Sequence, residues 1–181
     1  MFCLDETSLE ANERDQKYSL EGYCQKSINV GNGKGIITYF DSSKTTLIDY
    51  IASEKHQLMK FGYYNLDILN IYRSQNCRSN ELIESLKLML DPRKNTIITG
   101  DFNICFNENR SNKIIAYLIE NGFNQLVHEP THIRGRLIDH VYWLDKTGDY
   151  NIELERYTAY YSDHDGLCIC ISNITRGNII H

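Results

Sequence analysis

Residues 95–103 read Asn-Thr-Ile-Ile-Thr-Gly-Asp-Phe-Asn, a β-branched run that stops at a glycine and then turns polar. The run Asn95–Thr99 predicts a short, buried strand. Gly100 ends this strand, and Asp101 and Asn103 follow directly. Polar side chains at the end of a buried strand lie where loops can present them to a ligand. The stretch therefore predicts a central strand with candidate functional residues at its carboxyl end.

Short β-type segments dominate the chain on both sides of this stretch. Residues 66–72 alternate apolar and polar side chains, which is typical of a half-buried strand. The further predicted strands cover residues 18–30, 35–40, 57–61, 137–144, 151–160 and 166–172, with a hairpin turn at Gly31-Asn32-Gly33. Helical spacing predicts helices over residues 79–90, with Ser79 as N-cap, and 113–120. These elements predict an α/β (α+β) fold in which helices cover stacked sheets.

The composition predicts one folded domain. The chain has 181 residues, of which 41% are hydrophobic and 24% charged, enough for a sizeable core. No internal repeat or linker divides it. We expect residues 1–173 to form the domain and residues 174–181 a C-terminal tail.

Charge and cysteine usage exclude several classes of function. A net charge of -5 is incompatible with binding a polyanion by bulk positive charge alone, although it suits a site built of carboxylates. The six cysteines contain no C-x-x-C pair, and the six histidines lack three-ligand spacing, so a zinc hydrolase is disfavoured. The sequence has neither a membrane-spanning run nor a secretory signal, and we expect an intracellular protein with reduced thiols.

Four polar clusters fall at the ends of predicted strands. They are Leu4-Asp5-Glu6-Thr7, Ile71-Tyr72-Arg73-Ser74, Thr99-Gly100-Asp101-Phe102-Asn103, and Ile138-Asp139-His140-Val141 paired with Tyr161-Ser162-Asp163-His164-Asp165. Each alone is explained by ordinary turn chemistry, but their shared position favours one assembled site. His140 is excluded because alternation places it opposite Asp139. Asp5, His132 and Asp165 are interpreted as bystanders.

These motifs together resemble the endonuclease/exonuclease/phosphatase superfamily. The matching residues are Glu6 in LDET, Asp101 and Asn103 in GDFN, Asp139 in IDHVY, and Ser162-Asp163-His164 in SDH. Tyr72-Arg73-Ser74, Pro130-Thr131-His132 and the spelling IDHVYW look most like the abasic-endonuclease-like endonuclease domains of non-LTR retrotransposons. The resemblance spans Leu4 to about Ile171 and implies a four-layer α-β-β-α sandwich of two stacked mixed sheets.

The resemblance implies a phosphodiester hydrolase that uses Mg2+, with Mn2+ as an alternative ion. Glu6 would be the principal metal ligand, with Asp163 close enough to assist. Asp101 would orient and deprotonate the attacking water. Asn103 would donate its amide hydrogens to the phosphate oxygens.

The remaining matched residues are assigned to the phosphate and the nucleic-acid chain. His164 would hydrogen-bond the scissile phosphate, with Asp139 holding its ring and favouring the protonated form. Tyr72 lies where the family carries a tyrosine near the phosphate. Arg73, Thr131 and Ser162 are assigned to substrate binding. The implied activity is nicking of DNA, with RNA as an alternative substrate, a reverse transcriptase as a partner by kinship, and a nuclear or cytoplasmic location.

The chain also departs from the family pattern. Glu6 stands almost at the start, so the family's first strand, its metal-supporting Asn and the helix after it are absent from this sequence. We expect exposed strand edges as a result. An incomplete chain, a mobile-element remnant and a partner that supplies the strand are the three explanations. The alternative functions are a phosphatase for small phosphoesters and a catalytically inactive binding domain or remnant of the same fold.

Overall fold

The computed structural model describes residues 1–7, 18–30 and 34–173. The first strands are β1 (Phe2–Leu4), β2 (Cys24–Asn29), β3 (Gly35–Phe40), β4 (Thr45–Ala52), β5 (His56–Tyr63) and β6 (Leu66–Arg73). They are followed by α1 (Ser79–Met89), β7 (Asn95–Asp101), α2 (Lys113–Glu120), β8 (Asn124–Gln125), β9 (Asp139–Leu144), β10 (Tyr150–Tyr157) and β11 (Gly166–Asn173).

The larger sheet has six strands in the order β4-β5-β6-β7-β9-β8. Strands β6 and β7 run parallel and are connected by α1, while the other neighbours are antiparallel. The carboxyl ends of β6 and β7 therefore lie side by side, and β9 begins at the same edge. Tyr72, Asp101 and Asp139 occupy neighbouring register positions there.

One face of the larger sheet packs against both helices. Leu69, Ile71 and Ile98 point to this side because successive side chains of a strand alternate between its faces. Leu82 and Leu86 of α1 meet them and are fully buried. Burial of a side chain of this size contributes about 1.5–3 kcal/mol, so this contact anchors the β6-α1-β7 unit.

The opposite face of the larger sheet packs against a second layer of strands. This layer consists of a three-stranded sheet, β1-β3-β2, and the hairpin β10-β11. Ile28 and Ile36 from the former share a hydrophobic core with Ile68 and Ile97 of the larger sheet, and inward-facing residues of the hairpin join it while partly buried. The expected fold class, mostly strands in stacked sheets with helices, is confirmed. In the described ranges both helices lie on the same side of the larger sheet.

The two sheets of the second layer share no paired strands within the described residues. Strand β1 forms an edge, where Phe2 and Leu4 are 53% and 51% exposed. On β11, Cys168 and Cys170 face outward while Leu167 and Ile169 turn toward the core. Within the described residues, β1 therefore has one edge without a paired strand.

Several element boundaries differ from the predicted ones. Strand β4 was not predicted, because its central residues are largely exposed and a bulge after Leu47 breaks the alternation. The segment predicted as a strand from residue 18 is paired only from Cys24 onward. Helix α1 begins at Ser79, so Arg78 rather than Ser79 takes the N-cap position. The hairpin turn at residues 31–33 lies outside the described residues, although Asn29 and Gly35 on either side pair as expected.

None of the described helices is both long and apolar enough to cross a membrane.

Candidate active site

Gly100 brings the backbone of β7 into close contact with β6. It has φ +133°, and a Cβ at this position would lie 1.9 Å from the carbonyl oxygen of Ile71. Only glycine fits such a position. The next residue, Asp101, is 2% exposed, and its backbone N–H donates to Oδ2 of Asp5 at 3.1 Å. The close approach of the two strands therefore fixes the backbone position of Asp101.

The carboxylate of Asp101 is held by Asn103. The backbone N–H of Asn103 donates to Oδ1 of Asp101 at 2.7 Å, and its side-chain Nδ2 donates to Oδ2 at 2.9 Å. Nδ2 also donates to the carbonyl oxygen of Arg73 at 2.9 Å. Asn103 has φ +51°, a left-handed conformation that asparagine tolerates better than most residues. Its amide hydrogens are directed at protein acceptors in this conformation.

Asp139 and His164 form an ion pair beside Asp101. Nδ1 of His164 lies 3.1 and 2.9 Å from the two carboxylate oxygens of Asp139. This contact raises the pKa of His164 to about 9, against the opposing effect of burial. Burial, reinforced by the negative charge of Asp139, raises the pKa of Asp101 to about 8. The cluster thus contains an imidazolium next to a carboxyl group that is costly to ionise.

Tyr72 connects the sheet edge to Glu6. Its hydroxyl donates to Oε1 of Glu6 at 2.6 Å, and the tyrosine is 1% exposed. Burial, followed by the hydrogen bond to Glu6, raises the pKa of Tyr72 well above its usual range. The phenol is therefore neutral. Glu6 itself is exposed and has φ +49°, at the turn that follows β1.

The loop between β10 and β11 supplies Ser162, Asp163 and His164. Oγ of Ser162 accepts a hydrogen bond from the backbone N–H of His164 at 3.1 Å, which stabilises the turn. The Asp163 side chain is 61% exposed, and its Oδ2 lies 3.3 Å from Nε2 of His132. The site therefore has a buried part around Asp101 and an exposed part around Asp163.

The family described as endonuclease-reverse transcriptase matches residues 66–168. The chain belongs to this family. It is thereby a member of the endonuclease/exonuclease/phosphatase superfamily, in agreement with the resemblance of its motifs. No curated protein matches the chain.

Solved structures of this superfamily share the fold of the chain. The endonuclease domain of TRAS1, a telomere-specific non-LTR retrotransposon, has a TM-score of 0.63 at 17% identity, over 86% of this chain and 79% of that one. An AP endonuclease from Archaeoglobus fulgidus has a TM-score of 0.69 at 14% identity, over 93% and 87%. An endonuclease/exonuclease/phosphatase family protein from Leptotrichia buccalis has a TM-score of 0.61 at 14% identity, over 94% and 86%.

The described part of this endonuclease-reverse transcriptase family member contains two groups of side chains that could hold a metal ion. One consists of Asp101, Asp139 and His164, and the other of His132, Asp163 and His164; within each group the ligand atoms lie within 4.8 Å of one another. Carboxylate oxygens suit a hard divalent cation, and such a cation would relieve the repulsion between Asp101 and Asp139. The carboxylates of Asp101, Asp139 and Asp163 therefore fit a divalent cation, whereas His164 would bind one only after losing its proton. Glu6 is in neither group, and its assignment as a metal ligand together with Asp163 stays a prediction.

Two residues assigned to substrate binding are buried and bonded to the protein backbone. Arg73 is 7% exposed, and its guanidinium donates to the carbonyl oxygens of Phe102 and Cys77. Thr131 is fully buried, and its hydroxyl accepts from the backbone N–H of Asp139 at 3.2 Å. Both side chains support the site through hydrogen bonds to the backbone on its buried side. The assignment of Arg73 and Thr131 to the nucleic-acid backbone stays a prediction.

Two residues interpreted as bystanders contact the site directly. Asp5 accepts the hydrogen bond from Asp101 described above, and His132 lies against Asp163. Sequence spacing carried no signal for either, since both contacts join segments far apart in the chain. His140, by contrast, is buried on the other face, as expected: its Nε2 lies 2.9 Å from the carbonyl oxygen of Ile104, and burial lowers its pKa to about 4.

Proposed function

We propose that this protein is a divalent-metal-dependent endonuclease that nicks DNA, with Mg2+ as its ion. The observation that carries the proposal is the convergence of Asp101, Asp139 and His164 at the edge where β6, β7 and β9 meet. Family membership supports hydrolysis of phosphodiesters as the reaction class. We further propose that residues 1–173 act as one domain and that a reverse transcriptase is a partner, by kinship with mobile elements.

In the proposed reaction Asp101 receives the proton of the attacking water. Asn103 orients this carboxylate through two hydrogen bonds, which also favour its ionised form. A divalent cation held by the acidic residues of the site would supply Lewis-acid polarisation of the phosphate and would make a water molecule more acidic. We assign Glu6 and Asp163 to holding that cation, with the carboxylates of Asp101 and Asp139 adding negative charge beside it.

His164 and Tyr72 complete the proposed machinery. With its pKa raised to about 9, His164 carries a positive charge at neutral pH and attracts the phosphate oxygens. Asp139 holds the ring so that Nδ1 is used internally and Nε2 remains for the substrate. Tyr72 keeps its proton and orients Glu6. Ser162 shapes the loop that presents His164.

The deciding experiment measures nicking of supercoiled plasmid with Mg2+. Asp101→Asn keeps the side-chain shape but removes the base, and we expect the rate to fall by about 10²–10⁴-fold. Glu84→Gln, on the exposed side of α1, makes the same charge change away from the site and serves as the matched control. Equal nicking by wild type and Asp101→Asn, or no Mg2+-dependent nicking by wild type, contradicts the proposal.

The same preparations distinguish the two alternative functions. Hydrolysis of soluble phosphate monoesters in preference to DNA, lost in Asp101→Asn, identifies a phosphatase. A folded protein that cuts neither substrate and shows no Mg2+ binding by calorimetry identifies an inactive remnant or binding domain. Comparison of DNA with RNA under identical conditions tests the assignment of the substrate.

A further inference from the structure

The segment from Thr131 to Gly135 is held by backbone hydrogen bonds to the loop that carries Asp163. The backbone N–H of Ile133 donates to the carbonyl oxygen of Asp163 at 2.9 Å, and that of Asp165 donates to the carbonyl oxygen of Thr131 at 2.7 Å. Between these bonds, the backbones of His132 and His164 form an isolated antiparallel bridge. The two imidazoles pack edge to face, with ring centroids 4.9 Å apart. His132 thus has a defined place beside Asp163.

The tautomer of the neutral His132 ring follows from its contact with the backbone. The backbone N–H of Arg134 donates to Nδ1 of His132 at 3.1 Å, so Nδ1 is an acceptor. In the neutral imidazole the proton is therefore on Nε2. This atom lies 3.3 Å from Oδ2 of Asp163 and is oriented to donate to it. The arrangement makes His132 a donor to the carboxylate rather than a metal ligand through Nε2.

Among the described residues, no other hydrogen-bond or ion-pair partner touches the Asp163 carboxylate. That carboxylate is 61% exposed, whereas the His132 side chain is only 12% exposed. An exposed pair of this kind contributes little to stability, about 0–1 kcal/mol. Its larger effect is to restrict the carboxylate to one orientation. Groups that orient a ligating carboxylate typically change metal affinity by about 10–100-fold.

We propose that His132 is a positioning residue that holds Asp163 ready for the divalent cation. This inference rests on the proposed function, because it assigns Asp163 to that cation. His132 acts through Asp163 and does not touch the reacting atoms.

Two substitutions at His132 separate its two contacts. In His132→Asn the side-chain oxygen can still accept from Arg134, but the amide is too short to reach Asp163. In His132→Gln an amide nitrogen stands near the position of Nε2 and can donate to Asp163. We expect His132→Asn to raise the Kd for Mg2+, measured by calorimetry, at least about 10-fold, and His132→Gln to restore most of the loss.

Nicking kinetics and an NMR measurement on the metal-free protein complete the test. We expect the Mg2+ concentration for half-maximal nicking to rise in His132→Asn while the rate at saturating Mg2+ changes little. When Asp163→Asn is already present, adding His132→Asn should cause no further change in the Kd for Mg2+, because coupled residues are not additive. In metal-free wild type, 15N NMR should show the Nε2–H tautomer.

The outcomes distinguish this inference from the proposed function. Wild type whose Mg2+ binding is weakened by Asp163→Asn, with an unchanged Kd in His132→Asn, overturns the role of His132 alone. The Nδ1–H tautomer in the metal-free protein also overturns it. Wild type that neither binds Mg2+ nor nicks DNA overturns the proposed function, and the positioning role with it.

Discussion

Ile71 and Gly100 are so close that a single methyl group decides whether the site can form. A Cβ on Gly100 would lie inside contact distance of the Ile71 carbonyl, in a backbone conformation with φ +133°. The neighbouring Asp101 and Asn103 depend on this approach for their positions, since Asn103 also bonds to the backbone of Arg73. The requirement for glycine is therefore part of the site as well as part of the sheet.

Gly100→Ala should lower the free energy of unfolding by about 3 kcal/mol or more, because steric overlap and backbone strain add. Urea unfolding measures the change. Gly148→Ala is the matched control: Gly148 also has positive φ, +67°, but a Cβ there would have no neighbour within 4 Å. Equal losses in the two variants would show that the close approach to Ile71 does not matter.

The His164–Asp139 pair makes stability depend on pH. Because the pKa of His164 rises from 6.5 to about 9 on folding, the pair contributes fully below about pH 6.5, and its contribution is lost as the pH rises through about 9. In Asp139→Asn the pKa of His164 should fall toward 6.5. NMR titration of the imidazole in the metal-free protein measures both values. A wild-type midpoint at the ordinary histidine value would contradict the ion pair.

At the scale of elements, α1 connects two parallel strands and determines how they pack. Its buried stripe includes Leu82, Leu86 and Met89, which cover the face of the sheet behind the site. Leu88, on the opposite side of the helix, is 82% exposed. The helix therefore stabilises the parallel β6-β7 pair whose ends carry Tyr72 and Asp101.

Leu86→Ala should lower the free energy of unfolding by about 2–5 kcal/mol, through lost burial and the cavity left behind. Leu88→Ala, which makes the same chemical change on the exposed face, should change it by less than about 0.5 kcal/mol. Chemical denaturation of both variants gives the comparison. Similar losses in the two would mean that the helix does not pack as described.

The elements with the strongest sequence patterns were also the best predicted. Strand β3 and helix α2 have the predicted bounds, and β6, which has a clear alternation, differs by one residue. Strand β7, predicted from its β-branched run, is two residues longer than predicted. Asn112 caps α2 by accepting from the backbone N–H of Ile114 at 2.9 Å. Strand β4 was missed, since an exposed edge strand is specified by pairing with β5 rather than by its own alternation.

At the scale of the whole molecule, three strand ends and two loops meet at one edge of the larger sheet. Tyr72 and Asp101 arrive on parallel strands, Asp139 on the antiparallel strand next to them, and Asp163 on the loop of the β10-β11 hairpin. Glu6 follows β1 in the second layer. The site thus lies where both layers contribute, so relative placement of the layers bears directly on its geometry.

The amino-acid order was enough to predict the fold class and the family. It also predicted which residues form the clusters around Asp101, Asp139 and His164. Local periodicity and motif spelling are short-range properties, and a single sequence contains them in full. The burial of Arg73 and Thr131, and the contacts of Asp5 and His132, became known only from the folded chain. Each depends on which distant segments pack together, and side-chain burial and hydrogen-bond partners exist only after that packing.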